Sequence, residues 1–87
     1  MAIVVIPTLM RDLTDGEARV TAPGRTVGTV IEALEARYPG IKGRLCEGQR
    51  LAPTLAISVD GRLSRSGLRQ PVKEDSEVRF LPAIEGG

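Results

Sequence analysis

Few residues of this chain could do chemistry on their own. No histidine is present, which removes the commonest general base and the commonest metal ligand. The single cysteine, Cys46, cannot make an intramolecular disulfide, a CxxC redox pair or a thiolate zinc site. Gly43 and Gly48 have the spacing of a phosphate-binding loop, but Gln49-Arg50 stands where Lys-Ser/Thr is needed, so the match fails. What remains is the end of the sequence, Ala83-Ile84-Glu85-Gly86-Gly87. An α-carboxylate there, with a reference pKa of roughly 3.3 to 3.7, is ionised at pH 7 and is a poor acyl donor until a better leaving group is attached, for which ATP is the usual source. Two glycines leave the carbonyl carbon without a Cβ neighbour and let the backbone thread a narrow channel into another protein's active site. By itself such a dipeptide is more often a frayed chain end than a reacting group. The case therefore rests on what precedes it.

Eighty-seven residues allow one small domain and no separate catalytic and substrate lobes. Ala2 to Ile6 is apolar at both parities and stops at Pro7, the pattern of a central strand covered on both sides. Turn-prone residues from Thr8 to Gly16 lead to Glu17–Ala22, where Ala18, Val20 and Ala22 alternate with polar neighbours; the two strands are expected to pair as a hairpin. Thr26 is placed to cap a helix whose apolar stripe, Val27, Val30, Ile31, Leu34 and Tyr38, runs until Pro39-Gly40. Residues 41 to 53 read as an irregular connection with one helical turn. Leu55, Ile57 and Val59 alternate in a third strand that closes on Asp60-Gly61. Residues 62 to 72 leave room for one very short strand, and Glu77–Leu81 alternates again before Pro82 ends the ladder. The order implies an α+β fold, a β-grasp, with a mixed sheet of four to five strands and one main helix on one face. Its predicted core is Val4, Ile6, Val20, Val30, Ile31, Leu34, Ile57, Val59, Val78 and Phe80. Residues 1–82 form the domain and 83–87 a flexible tail.

The final strand running into Pro and a diglycine, Val78-Arg79-Phe80-Leu81-Pro82-Ala83-Ile84-Glu85-Gly86-Gly87, closely resembles the ubiquitin-like sulfur carriers. That family includes the small subunit of molybdopterin synthase, the thiamine carriers and the cysteine-forming carriers, and the resemblance spans the whole chain. Ile6-Pro7-Thr8-Leu9-Met10-Arg11, Thr26-Val27-Gly28-Thr29-Val30-Ile31 and Leu34-Glu35-Ala36-Arg37-Tyr38-Pro39-Gly40-Ile41 look most like the cysteine-forming type. Relatives usually carry Gly-Asp where Glu74-Asp75 stands and a small residue where Glu85 stands. The resemblance implies that a ubiquitin-activating-like adenylyltransferase activates the Gly87 carboxylate and that a sulfur donor converts it to a thiocarboxylate. A sulfur-accepting biosynthetic enzyme then consumes the sulfur. On this reading the protein is a carrier and not an enzyme; it binds no cofactor, and ATP is used by its partner. Gly86 and Gly87 carry the chemistry, while Leu81, Pro82, Ala83, Ile84 and Glu85 meet the partner. Leu81 and Pro82 are expected to point away from the helix and form one apolar patch beside the tail.

Two other classes stay open: a ubiquitin-like modifier that joins the same diglycine end to lysines, and a plain β-grasp interaction domain. An iron–sulfur β-grasp is excluded, since one cysteine cannot supply four ligands. Twelve basic against eleven acidic residues, no Trp and one each of Tyr and Phe offer neither the field nor the stacking platforms that nucleic acid needs. The apolar opening is too short to span a bilayer and no basic residue precedes it, so a cytoplasmic protein with no membrane contact is expected. Cys46 reads as a packing residue. Arg62, Arg65 and Arg69 could dock an acidic partner but read first as a solvated edge.

Overall fold

The computed structural model describes residues 1–83. Strand β1 (Ala2–Val5) pairs antiparallel with β2 (Arg19–Ala22), and a 3-10 helix, Thr8–Thr14, fills the connection between them. Helix α1 (Val27–Arg37) follows, then a short α2 (Ile41–Leu45) and a small hairpin of β3 (Cys46–Glu47) and β4 (Arg50–Leu51). The chain returns to the main sheet through β5 (Leu55–Val59) and β6 (Arg62–Leu63), passes a second 3-10 helix at Gly67–Arg69, and ends in β7 (Glu77–Pro82). The five-stranded sheet has the order β2-β1-β7-β5-β6, with β1 and β7 parallel in its middle and the other pairs antiparallel. This is the expected mixed sheet with α1 laid on one face.

Local chemistry accounts for most boundaries. The Thr26 hydroxyl accepts from the Thr29 N–H at 3.2 Å while Thr29 Oγ1 accepts from the N–H groups of Arg25 and Thr26, each at 3.1 Å, a reciprocal cap that starts α1. Asp60 and Gly61, at φ 51° and 84°, make the tight β5–β6 turn that the Asp-Gly pair predicted.

Nine of the ten predicted core residues are buried; Val59, facing Arg62 of the exposed two-residue edge strand, is only half-buried. The expectation that β1 is covered on both faces needs correction. Ala2 and Val4 are buried toward α1, but Ile3 and Val5 face the open side and are half-buried. Val5 lies in register between Arg19 and Arg79, whose guanidinium groups both pair with Glu77, so arginine stems flank it where a second layer was expected. The connection at residues 41–53 holds more structure than its composition suggested. Ile41 and Leu45, one turn apart on α2, are fully buried and extend the core, and the N–H groups of Lys42 and Gly40 are accepted by the Glu35 carboxylate of α1. Among the described residues no helix is long and apolar enough to cross a membrane.

Candidate functional site

The residues assigned to the partner-facing end are positioned by β7. Val78 and Phe80 are buried against the helical layer, so by the two-residue period Glu77, Arg79 and Leu81 stand on the open face. Leu81, 36 % exposed, lies opposite Ala56. The same parity corrects the reading of Pro82, which belongs to the face of Phe80 and not to that of Leu81. There it helps line a groove of about 390 Å³ with Pro7, Leu9, Met10, Leu55 and Phe80. Leu9, on the 3-10 helix, is 84 % exposed. The single apolar patch expected beside the tail is thus two surfaces on opposite faces of one strand.

Pro82 does not end the ladder. It stands opposite Leu55, and the Ala83 N–H still donates to the Thr54 carbonyl at 2.9 Å. A proline is tolerated there because the last strand residue is leaving the sheet. Leu81, Pro82 and Ala83 therefore leave from the middle of the sheet with fixed direction; Ile84, Glu85, Gly86 and Gly87 lie outside the described residues.

Electrostatics around β7 are settled on the open face. Glu77 accepts from Arg79 Nε at 2.8 Å and also pairs with Arg19, which holds its carboxyl below the usual range. Asp60 is likewise held low, by the Glu77 N–H and then the Ser76 hydroxyl, which tie the β5–β6 turn to the start of β7.

The other candidates are dispersed. Cys46 opens β3, half-buried against the core, and burial pushes its thiol up and away from the thiolate. Gly43 lies within α2 and Gly48 in the β3–β4 hairpin, so the two glycines frame no single anion loop. Among the described residues no three of His, Cys, Asp and Glu come together in a way that could hold a metal ion. Sequence reasoning missed the Leu9–Met10 side of the groove, although Leu9 and Met10 stand directly after Pro7 in the quoted segment; only the 3-10 turn shows that they reach the end of β7.

Residues 4–87 match the ThiS family. The sulfur carrier protein CysO of Mycobacterium tuberculosis is 38% identical over 90 residues, covering 97% of this chain and 96% of that protein. A chain in the crystal structure of the Amycolatopsis orientalis BexX/CysO complex superposes with a TM-score of 0.91 at 37% identity, covering all of both chains. The small archaeal modifier protein 3 of Haloferax volcanii is 33% identical over 64 residues, 71% of this chain and 70% of that protein. The β-grasp fold and the sulfur-carrier resemblance drawn from the sequence, with its preference for the cysteine-forming type, are borne out. With the diglycine segment inside the matched region and a β-grasp that delivers Leu81 to Ala83 from its central strand, the chain belongs to the ThiS family of ubiquitin-like proteins.

Proposed function

We propose that this protein is a sulfur carrier of the cysteine-forming type, acting as co-substrate of an ATP-dependent adenylating enzyme. The observation that carries the reading is the match to sulfur carrier protein CysO over 97% of this chain, beside a family match that runs through residue 87. The Gly87 carboxylate attacks the α-phosphate of ATP on the partner; pyrophosphate leaves and an acyl adenylate forms. A sulfide-equivalent donor then attacks the carbonyl carbon, the C–O bond to AMP breaks, and a C-terminal thiocarboxylate remains. The anhydride turns a resonance-stabilised carboxylate into an electrophile, and the thioacid product is ionised at neutral pH with a soft, nucleophilic sulfur. A biosynthetic acceptor takes that sulfur.

The carrier supplies an address and no catalytic group. The Thr54–Ala83 bond and the central position of β7 fix the chain as far as Ala83, and the two apolar surfaces at Leu81 and at the Leu9–Pro82 groove are where a partner would hold the domain. The test is the intact mass of the protein purified from its own host: replacement of one oxygen by sulfur at the C-terminus is the expected result, and a carboxylate alone in sulfur-replete cells would count against the carrier.

A second reading, conjugation of the same adenylated end to lysines, is favoured by the similarity to small archaeal modifier protein 3. Incubation with host extract and ATP, followed by blotting, separates the two, since only a modifier yields higher-mass conjugates.

A further inference from the structure

Basic and acidic residues nearly cancel over the chain, but the structure does not mix them evenly. Several arginines are answered from within the molecule. Arg19 and Arg79 share Glu77, Arg37 donates to the Thr21 carbonyl at 2.8 Å, Arg11 to that of Ile6 at 3.1 Å and Arg44 to that of Leu9 at 3.2 Å. Arg50, Arg65 and Arg69 form no ion pair with a carboxylate among the described residues. Glu47 stands opposite Arg50 in the hairpin register and still does not pair with it. These three arginines, Arg50 from the hairpin and Arg65 and Arg69 from one segment fifteen and more residues later, line one groove of about 340 Å³ between the β3–β4 hairpin and the second 3-10 helix. Half-buried Leu51 and Leu68 contribute to its wall, and no acidic residue lines it.

The backbone that carries them is held in place. The Gln70 carbonyl accepts from the Val27 N–H at 2.9 Å, the Ser64 hydroxyl bonds the Gln70 side chain at 2.6 Å, and the Arg69 N–H donates to Ser66 at 3.1 Å. Helix α1 approaches so closely that a Cβ at Gly28 would lie 3.1 Å from the Leu68 carbonyl oxygen. Three like charges gathered on a fixed, partly apolar surface repel one another, and no ion pair among the described residues ties any of them down. Such arginines pay off only against an external anion, and arginine is the cation best suited to a partly desolvated interface. The groove is also linked through the chain to the last described residue, Ala83. Thr54 follows Arg50 by four residues, at most about 14 Å of chain, and its carbonyl holds Ala83.

We propose that the Arg50–Arg65–Arg69 groove docks an acidic segment of the adenylating enzyme that takes up Gly87. The proposal rests on the carrier reading and names a surface of its partner. Because the contact is made away from the reacting carbonyl, it holds ground state and transition state alike, and so it acts on KM and on the salt dependence of encounter.

The experiment is ATP–pyrophosphate exchange by the adenylating enzyme of the same organism, with the full chain as varied substrate. The triple variant Arg50→Glu, Arg65→Glu, Arg69→Glu should raise KM about 10-fold or more while kcat stays within about 2-fold. It should also flatten the rise in KM that the parent shows between roughly 50 and 300 mM salt. Arg62→Glu, in a separate depression beside Lys73, should change neither. Melting curves accompany each variant. Should the triple variant fail to fold, Arg69→Glu alone is read for a rise of about 3-fold. Unchanged KM and salt dependence, with exchange abolished by deletion of Gly87, would overturn the groove and leave the carrier standing. Parental exchange without Gly87 would overturn both. Variants that lose only affinity for a single-stranded oligonucleotide, with KM intact, would overturn the proposal in favour of nucleic acid.

Discussion

At Gly24 the chain turns from β2 into α1 with φ at +147°, a conformation closed to L side chains. The space is closed as well. A Cβ there would lie 2.7 Å from Thr29 Oγ1, 2.8 Å from the Val30 nitrogen and 2.9 Å from Val30 Cγ2, and neither the helix backbone nor the buried valine can retreat. Gly24→Ala should therefore combine backbone strain with overpacking, on the order of 2 to 4 kcal/mol. For a domain of this size that is a fall in melting temperature of about 10 °C or more. A parental melting curve would mean that the β2–α1 turn relaxes at no cost. The residue lies in the β2–α1 turn and not on β7 or the groove beside Pro82, so sulfur loading at temperatures where the variant is folded should be unaffected.

Helix α1 owes its start to two threonines that serve each other. Thr26→Ala removes the acceptor for the Thr29 N–H and should cost about 1 kcal/mol, whereas Thr26→Ser keeps the hydroxyl and should stay within a few tenths. Thermal denaturation of the pair separates capping from packing; equal losses in both variants would assign the effect to the lost methyl group. The consequence reaches beyond the helix, because the Val27 N–H at its first turn holds Gln70 and with it the 3-10 segment bearing Arg69. Strand β7 is the other element on which the proposed function depends. β1 pairs with it as far as Arg79 and β5 as far as Pro82, so Leu81 and Pro82 are presented by β5 with defined parity up to the last bond at Ala83.

For the whole molecule, the ionisable groups define a stability profile. Glu35 is held low first by the Lys42 N–H and then by that of Gly40, Asp60 by the Glu77 N–H and Glu77 by Arg79. A carboxylate whose folded pKa lies below its unfolded value of about 4 contributes stability that is present above that value and lost as pH falls through the folded one. Lys42, raised by its hydrogen bond to Glu32, and Cys46, raised by burial, work in the opposite sense. Their contributions are complete below the unfolded values, about 8.5 for Cys and 10.4 for Lys, and fade as pH rises through the folded ones. With no histidine to titrate between, urea midpoints should be flat from about pH 5.5 to 8 and fall on both sides. A slope within that window would demand a titrating group not identified in the fold.

Strand alternation, the Thr26 cap, the Pro39-Gly40 stop, the Asp60-Gly61 turn and the diglycine end were all legible in the sequence, because each depends on residues within a few positions of one another. The family resemblance followed from their order. What the sequence left open were questions of which segments lie side by side. Ile41 and Leu45 looked like stray apolar residues in a polar connection until α2 packed against α1 and buried them. Ile3 and Val5 read as covered, yet among the described residues no second layer lies on that face and arginine stems flank it instead. Arg65 and Arg69 were legible as charges beside Arg62, but only tertiary packing moved Arg62 elsewhere and brought Arg50 in. Local backbone preferences act over one or two turns of chain. Burial and charge clustering depend on contacts between separate segments of the chain, which only the folded structure brings together.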